Sequence, residues 1–206
     1  MITDRPRTLS RANTAVGLCA AAASLAVLGL AYFLRDPARR PPNDPRAILA
    51  PADGRVLLIA PAAAPEFVVG PAWRLMIFLS LWDVHVQRAP AAGRVALSQR
   101  QLGGFAPAFQ ARAAHNAGHR LGVETAYGRL LLVRTSGLVA RRVTTTVAPG
   151  QALLAGERIG RILLGSRAEL FIPSTAAVRI RPGQHVRAGE TVLATWGESE
   201  GHSGNN

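Results

Sequence analysis

Three short segments of the chain contain residue types that could do chemistry. The first carries Asp53 in an Asp-Gly pair, the second carries His85 and Arg88 after an apolar run, and the third carries Gly165-Ser166 between two apolar runs. Serine, histidine and aspartate are the residue types of nucleophilic triads. Taken singly, each segment also has a structural explanation, because Asp-Gly and Gly-Ser pairs are common in turns. Any shared chemistry therefore depends on the elements that position the three segments.

Lysine is absent, and this restricts the possible chemistry. All 24 basic residues are arginines, and the formal net charge is +12. Without a lysine no side-chain amine can form a Schiff base, which excludes lysine-based pyridoxal phosphate and aldolase chemistry. Amine–carbonyl chemistry would need a carbonyl from the protein and an amine from the substrate. An arginine-rich surface suits an anionic lipid interface, whereas aromatic residues at 5% of the chain argue against a nucleic-acid partner.

The metal-ligating residue types do not form a recognisable site. The one cysteine, Cys19, lies in an apolar run, which excludes a disulfide framework and a cysteine-based zinc site. His115 and His119 are four residues apart, but no further ligand motif accompanies them. We therefore predict no metal site and expect both histidines to be solvated on a polar loop or at a helix end.

Three longer stretches, in this order, resemble the phosphatidylserine decarboxylase family, and in particular its short, archaeal-type form. They read FLRDPARRPPNDPRAILAPADGRV, FLSLWDVHVQRAPAAGRV and VRTSGLVARRVTTTVAPGQALLAGERIGRILLGSRAELFIP. The resemblance runs from about Phe33 to Val178. The long form has a second histidine where this chain has Arg88, and the short form usually has Asn-Glu-Arg where this chain has Asn116-Ala117-Gly118-His119. The resemblance therefore assigns no role to that last loop.

The resemblance implies that the chain is a proenzyme that cleaves itself between Gly165 and Ser166. In the family pattern Asp53, His85 and Ser166 form a triad, in which His85 removes the serine proton and Asp53 orients the imidazole. The peptide bond becomes an ester, and elimination and hydrolysis leave a pyruvoyl group in place of Ser166. The expected products are chain 1–165 and chain 166–206, which stay together as a heterodimer.

The resemblance also implies a decarboxylation that uses this pyruvate-derived cofactor. Its carbonyl would form a Schiff base with the serine amine of phosphatidylserine and release carbon dioxide to give phosphatidylethanolamine. His85 is the expected general acid that returns a proton to the α-carbon. Four arginines near the motifs are candidates for binding the lipid head group: Arg88, Arg141, Arg142 and Arg167.

An uncharged run at 14–34 predicts an N-terminal membrane helix. Its 21 residues would span roughly 30 Å, the thickness of the hydrocarbon core. A cleavable signal peptide is the alternative, but the run is long for a signal core and ends in bulky residues. Around the helix we expect a basic segment at 1–13, a Pro-rich linker at 35–47, a catalytic domain at 48–198 and a flexible tail at 199–206. The expected location is a cell membrane, namely the inner membrane of a bacterium.

Short apolar runs separated by Gly and Pro predict a mainly β domain. We expect strands at 55–60, 73–81, 93–99, 128–136 and 168–173, and an Ala-rich helix around 105–117.

The pattern P-G-Q-x-x-x-A-G-E occurs twice, at 149–157 and at 182–190. Each copy predicts a Pro-Gly turn, a short strand and a Gly-Glu turn. Such a pair suggests the pseudo-symmetric barrel-sandwich hybrid of biotinyl and lipoyl domains. The absence of lysine excludes the carrier role of those domains.

Two other functions fit parts of this pattern. A non-catalytic, membrane-anchored barrel-sandwich adaptor would explain the repeat and the apolar run, but not the order of Asp53, His85 and Gly165-Ser166. A pyruvoyl decarboxylase of a different amino acid would explain the triad but not the membrane segment. The sequence leaves a homo-oligomer open as well.

Overall fold

The computed structural model describes residues 7–63, 67–104, 106, 116–137, 143–162 and 166–197, with side-chain environments from residue 14 onward and not for Ser166. The chain forms two compact units, Met1–Arg35 and Asp36–Asn206. The first unit contains helix α1 (Arg7–Phe33). Within it, Thr14–Phe33 has a mean hydropathy of 2.0 and is long and apolar enough to cross a membrane. The predicted N-terminal apolar helix is therefore confirmed, although a signal sequence would pass the same test.

The second unit is mainly β, as predicted. Its strands are β1 (Ala47–Leu49), β2 (Gly54–Ala62), β3 (Ala72–Leu79), β4 (Val86–Arg88), β5 (Gly93–Gln101), β6 (Gly118–Thr125), β7 (Gly128–Thr135), β8 (Val143–Thr145), β9 (Ala152–Leu153), β10 (Arg158–Ile162), β11 (Ser166–Pro173), β12 (Ala177–Val178), β13 (His185–Val186) and β14 (Val192–Thr195). All five predicted strands are present, as β2, β3, β5, β7 and β11. The helix expected around 105–117 lies almost wholly outside the described residues.

One large antiparallel sheet organises the second unit. Its strand order is β13-β2-β3-β11-β7-β6-β5-β9, and two three-stranded sheets, β1-β14-β12 and β4-β10-β8, complete the fold. One face of the large sheet supplies most of the core, so that the sheet curls around it as a half-barrel. In β11 every second side chain faces this core: Ala168, Leu170 and Ile172 are fully buried in it.

The register places several strand ends at one end of the large sheet. Ser166 pairs with Leu79, the last residue of β3. Arg167 pairs with Thr135, the last residue of β7, and Thr135 pairs with Gly118, the first residue of β6. We refer to this end, where β3, β5 and β7 finish and β6 and β11 begin, as the Ser166 end of the sheet.

The two copies of the internal repeat have the same local structure, as predicted. Gly150 and Gly183, at equivalent positions, both have φ of +86°. The short strands β9 and β13 that follow pair with β5 and β2 respectively. The repeat is therefore a structural duplication that closes both edges of the large sheet.

Candidate active site

The segment that contains the predicted cleavage bond is fixed on both sides by the chain around His85. Before it, the amide of Ile162, at the end of β10, donates a hydrogen bond of 3.1 Å to the carbonyl oxygen of His85. After it, Ser166 pairs with Leu79 in β3, six residues before His85. Gly165 itself lies outside the described residues. The fold therefore brings the histidine and Gly-Ser segments together.

His85 is fully buried, and its contacts define its tautomer. Its Nδ1 atom lies 2.8 Å from the backbone carbonyl oxygen of Asp83. A carbonyl oxygen can only accept, so neutral His85 carries its proton on Nδ1. This leaves Nε2 as the basic nitrogen, as a general base requires. The group that orients the imidazole in this contact is a backbone carbonyl.

The Asp83 carboxylate stabilises the turn that carries this carbonyl. One oxygen accepts hydrogen bonds from the amide and the hydroxyl of Ser80, both at 2.7 Å. The other accepts a hydrogen bond of 2.9 Å from Nε2 of His185. The turn between β3 and β4 is thus fixed by its own aspartate, to which the sequence analysis assigned no role.

Asp53 lies at the start of β2, on the other side of β3 from Ser166. Its carboxylate is buried, and both oxygens are engaged. One forms an ion pair of 2.7 Å with Arg39, and the other accepts a hydrogen bond of 2.7 Å from the amide of Ala188. Orientation of the His85 imidazole by Asp53 therefore stays a prediction.

Arg39 joins Asp53 to Glu190 through a second ion pair of 3.0 Å. Burial works against the charge on Arg39, but the two carboxylates outweigh it and raise the pKa of the guanidinium. The start of the segment predicted as a linker, at 36–40, is thereby bound to the β unit. We call Arg39, Asp53, Ala188 and Glu190 the Arg39 latch.

Two of the four arginines predicted to bind the head group have partners inside the protein. Arg88 donates to the carbonyl oxygens of Gly156 and Pro37 and forms an ion pair of 3.2 Å with Asp36. Burial, with the positive charge of nearby Arg158, lowers the pKa of Arg88.

Arg167 is also buried and forms an ion pair with Glu169. Burial is the main cause that lowers its pKa as well. Arg141 and Arg142 lie outside the described residues. A head-group role for any of the four stays a prediction.

Gln87 is a site residue that sequence reasoning missed. It lies two residues after His85 in β4, is fully buried, and pairs with Gly160 of β10. Within the described part of the chain, neither its amide oxygen nor its amide nitrogen has a hydrogen-bond partner. Buried amides are rarely left unsatisfied, so Gln87 is available to a group that enters the site.

A cavity of about 450 Å³ opens at the Ser166 end of the sheet. It is lined mainly by polar or small residues, namely Ser98, Arg100, Ala117, Gly118, His119, Ser136, Val143 and Thr145. The expectation that His119 is solvated is wrong, since only 7% of its surface is exposed. It is buried because Arg134, from the neighbouring strand β7, donates a hydrogen bond of 2.8 Å to its Nδ1 atom.

Burial, together with the positive charge of Arg134, lowers the pKa of His119 to about 4. His119 is therefore neutral at physiological pH. Burial also lowers the pKa of Arg134 to about 10, and this guanidinium remains charged. Gly160 makes room for it, because a Cβ there would lie 2.9 Å from Nη1 of Arg134 and 2.1 Å from the carbonyl oxygen of Thr144.

A family model and several known proteins match this chain over most of its length, and all of them point to one family. The model of the family described as phosphatidylserine decarboxylase matches residues 29–194. This range includes all three motif segments and the whole of the large sheet.

Curated relatives agree with that match. The phosphatidylserine decarboxylase proenzyme of Carboxydothermus hydrogenoformans is 39% identical over 171 residues, which cover 82% of this chain and 80% of that protein. The protein of the same name from Chlorobium limicola is 40% identical over 165 residues, or 79% of this chain and 77% of the relative. The one from Desulfotalea psychrophila is 37% identical over 164 residues, with the same two coverages.

Proposed function

The chain belongs to the phosphatidylserine decarboxylase family and is a decarboxylase of phosphatidylserine, and we propose that it makes its own catalytic group by cleaving the bond between Gly165 and Ser166. The group would be a pyruvoyl at the new terminus of chain 166–206. A pyruvoyl supplies a carbonyl for the substrate amine and an electron sink for the bond that breaks. The lack of lysine supports this assignment, since no side-chain amine is available for pyridoxal chemistry.

In the proposed cleavage His85 acts as the general base. Its Nε2 atom accepts the hydroxyl proton of Ser166, and the serine oxygen attacks the carbonyl carbon of Gly165, so that the peptide becomes an ester. Loss of the α-proton of Ser166 expels the Gly165 carboxylate and leaves a dehydroalanine. Addition of water then releases ammonia and leaves the pyruvoyl. The observation that carries this proposal is the attachment of Ile162 to His85, together with the Nδ1 proton of that histidine.

The fold fits such a cleavage because it holds both new ends. β10 is paired with β4 and β8, and β11 is paired with β3 and β7. The Arg39 latch also joins the prospective chains, since Arg39 and Asp53 precede the cleavage bond while Ala188 and Glu190 follow it. These contacts support a stable heterodimer of chains 1–165 and 166–206. They also favour a positioning role for Asp53.

In the decarboxylation we assign His85 the return of a proton to the α-carbon of the substrate. His85 is fully buried and carries one proton on Nδ1, so the proton that it returns is a second one, held on Nε2 of the imidazolium. Gln87, which lies on β4 two residues after His85 and is unpaired among the described residues, is a candidate to contact the reacting groups.

Exposed apolar residues support contact between the Ser166 end of the sheet and a lipid surface. In the turn after β3, Trp82 is 75% exposed and Leu81 is 52% exposed, and Leu102 after β5 is 82% exposed. Tryptophan and leucine favour the interfacial region of a bilayer. We propose that this end of the β unit contacts a phospholipid bilayer, and that this bilayer is the inner membrane of a bacterium.

The finer fold assignment is also a proposal. The duplicated turns, which approach each other at Gly156 and Gly189, support a relationship with the barrel-sandwich hybrid. A non-catalytic adaptor with that fold is not favoured, because the family match covers all three motif segments.

Intact mass spectrometry of the full chain, purified from membranes, tests the proposed function. The wild-type protein should give two chains, and the smaller should be lighter by one ammonia than an unmodified fragment 166–206 and blocked to Edman sequencing. Ser166→Ala should give one chain, while Ser174→Ala, which changes an exposed serine, should still give two. A wild-type protein that stays in one piece would refute the proposal.

A further inference from the structure

Arg134 is a fully buried cation, and none of the carboxylates that the structure describes is paired with it. Its side chain is inaccessible to solvent, and its Nη1 atom donates to the carbonyl oxygens of Thr144 and Ile159. In the part of the chain that the structure describes, no carboxylate lies within ion-pair distance of it. Buried charges are normally paired, because an isolated one is expensive to desolvate. Beside the cavity, this unbalanced charge is suited to an anionic ligand.

A chain of hydrogen bonds, in which each group donates to the next, connects Arg134 to the cavity. Arginine can only donate, so Nδ1 of His119 accepts, and the imidazole proton is on Nε2. That proton is donated to the Ser98 hydroxyl oxygen at 3.2 Å. The Ser98 proton is thereby left to donate to a further group. We call Arg134, His119 and Ser98 the donor relay.

We propose that this cavity binds the phosphodiester of the lipid head group, with the Ser98 hydroxyl and Arg100 as its direct donors. His119 and Arg134 are then positioning residues that act through Ser98. The inference rests on the proposed function, because it takes phosphatidylserine as the ligand. None of the four arginines predicted to bind the head group lines this cavity among the described residues.

The chemistry of decarboxylation decides between the two anionic groups of the head group. The carboxylate loses its charge as carbon dioxide forms, so strong cationic contacts would stabilise the substrate more than the transition state. The phosphodiester keeps its charge throughout the reaction. Cationic contacts there strengthen substrate binding without opposing the chemical step.

The position of the cavity agrees with a site for the phosphodiester that is separate from the site of the reaction. Ser136, on its wall, directly follows Thr135, and Thr135 is paired with Arg167, the residue after Ser166. The cavity then extends across β6 to Ser98 on β5. A head group could thus place its amine near Ser166 and its phosphodiester farther along the cavity.

Steady-state kinetics of full-length variants test the inference. Ser98→Ala and His119→Ala should raise KM for phosphatidylserine by on the order of tenfold with kcat little changed, as expected when binding common to the substrate and the transition state is lost. His119→Gln should restore most of the affinity, because its amide can accept from Arg134 and donate to Ser98. Gln99→Ala is the matched control, since Gln99 is exposed between two cavity residues.

Inhibition by glycerophosphoglycerol, a phosphodiester without an amine, identifies the group that is bound. Its inhibition constant should rise about as much as KM in Ser98→Ala. Self-cleavage, followed by intact mass, separates the two proposals: an uncleaved wild-type protein would refute the proposed function alone. Cleaved variants with wild-type KM and inhibition constant would overturn the phosphodiester site, and so would a loss confined to kcat. If His119→Ala fails to fold, Ser98→Ala, which removes one hydroxyl, decides.

Discussion

The amide of Ile162 donates a hydrogen bond to the carbonyl oxygen of His85, so that the strand leading to the predicted cleavage bond is attached to its proposed base. The same histidine is oriented through Nδ1 by the carbonyl oxygen of Asp83. Backbone atoms thus provide both constraints. An imidazole held in this way needs no buried carboxylate to select its tautomer.

The first prediction concerns His85. His85→Ala should slow self-cleavage by at least about a hundredfold, because loss of a general base typically removes two or more orders of magnitude. The measurement is the fraction of intact chain with time after synthesis. His185→Ala is the matched control, since this exposed histidine contacts the same turn through the Asp83 carboxylate. Cleavage of His85→Ala at the wild-type rate would show that another group is the base.

The second prediction concerns the Arg39 latch. In the uncleavable Ser166→Ala background, Arg39→Ala should lower the free energy of unfolding by about 3 kcal/mol, because it leaves the buried Asp53 carboxylate without its cation. Asp53→Asn should lower it by less, because Arg39 keeps its ion pair with Glu190. Arg129→Ala, which breaks the exposed pair with Glu124, should lower it by less than about 1 kcal/mol. Denaturant titration measures all three.

The latch variants also separate the two roles of Asp53. If Asp53 acts only by stabilising the fold through Arg39, then Asp53→Asn and Arg39→Ala should slow self-cleavage to a similar extent in the cleavable chain, which keeps Ser166. If Asp53→Asn is stable and loses self-cleavage while Arg39→Ala still cleaves, the result would instead support a direct action of Asp53 on His85, as the family pattern implies.

The third prediction concerns the exposed apolar residues at the Ser166 end of the sheet. The double variant Leu81→Ser, Trp82→Ser should raise the apparent KM for phosphatidylserine in mixed micelles by on the order of tenfold or more, since each side chain contributes on the order of 1–2 kcal/mol when buried at an interface. Val69→Ser is the control, because Val69 is 77% exposed in the β2–β3 connection at the opposite end. Monomeric short-chain phosphatidylserine should be turned over equally by all variants.

The sequence predicted those strands whose own residues alternate or are apolar, such as β3 and β11. It missed β6, which contains His119, Arg120 and Gly122. β6 forms because it pairs with β5 and β7. Packing requires the glycine at position 122, because a Cβ there would lie 2.8 Å from the ring of Phe67. Such a requirement comes from residues far away in the chain.

The three motif segments could be predicted from the sequence, because the residues of each segment are contiguous in the chain. The pairing of Arg39 with Asp53 and of His119 with Arg134 was not, because each joins separate segments. Burial of His119 depends on a charged residue of another strand. Local polarity alone therefore pointed to a solvated side chain.

The fourth prediction concerns the pH dependence of stability. The pKa of His119 is lowered to about 4 in the folded chain, whereas an unfolded histidine has a pKa of about 6.5. The unfolded chain therefore binds more protons between these values, and stability should fall as the pH falls from about 6.5 to about 4. The loss reaches at most about 3 kcal/mol. Above pH 6.5 the contribution of His119 is fully present and constant.

Denaturant titration at several pH values, with Ser166→Ala as the background, measures this slope. His119→Gln removes the titrating group while keeping an acceptor for Arg134, so its stability should change less over the same range. Gln99→Ala, which changes an exposed residue that does not titrate, is the control and should retain the slope. If His119→Gln and its background lose stability in parallel between pH 6.5 and 4, then His119 is not the group responsible for the slope.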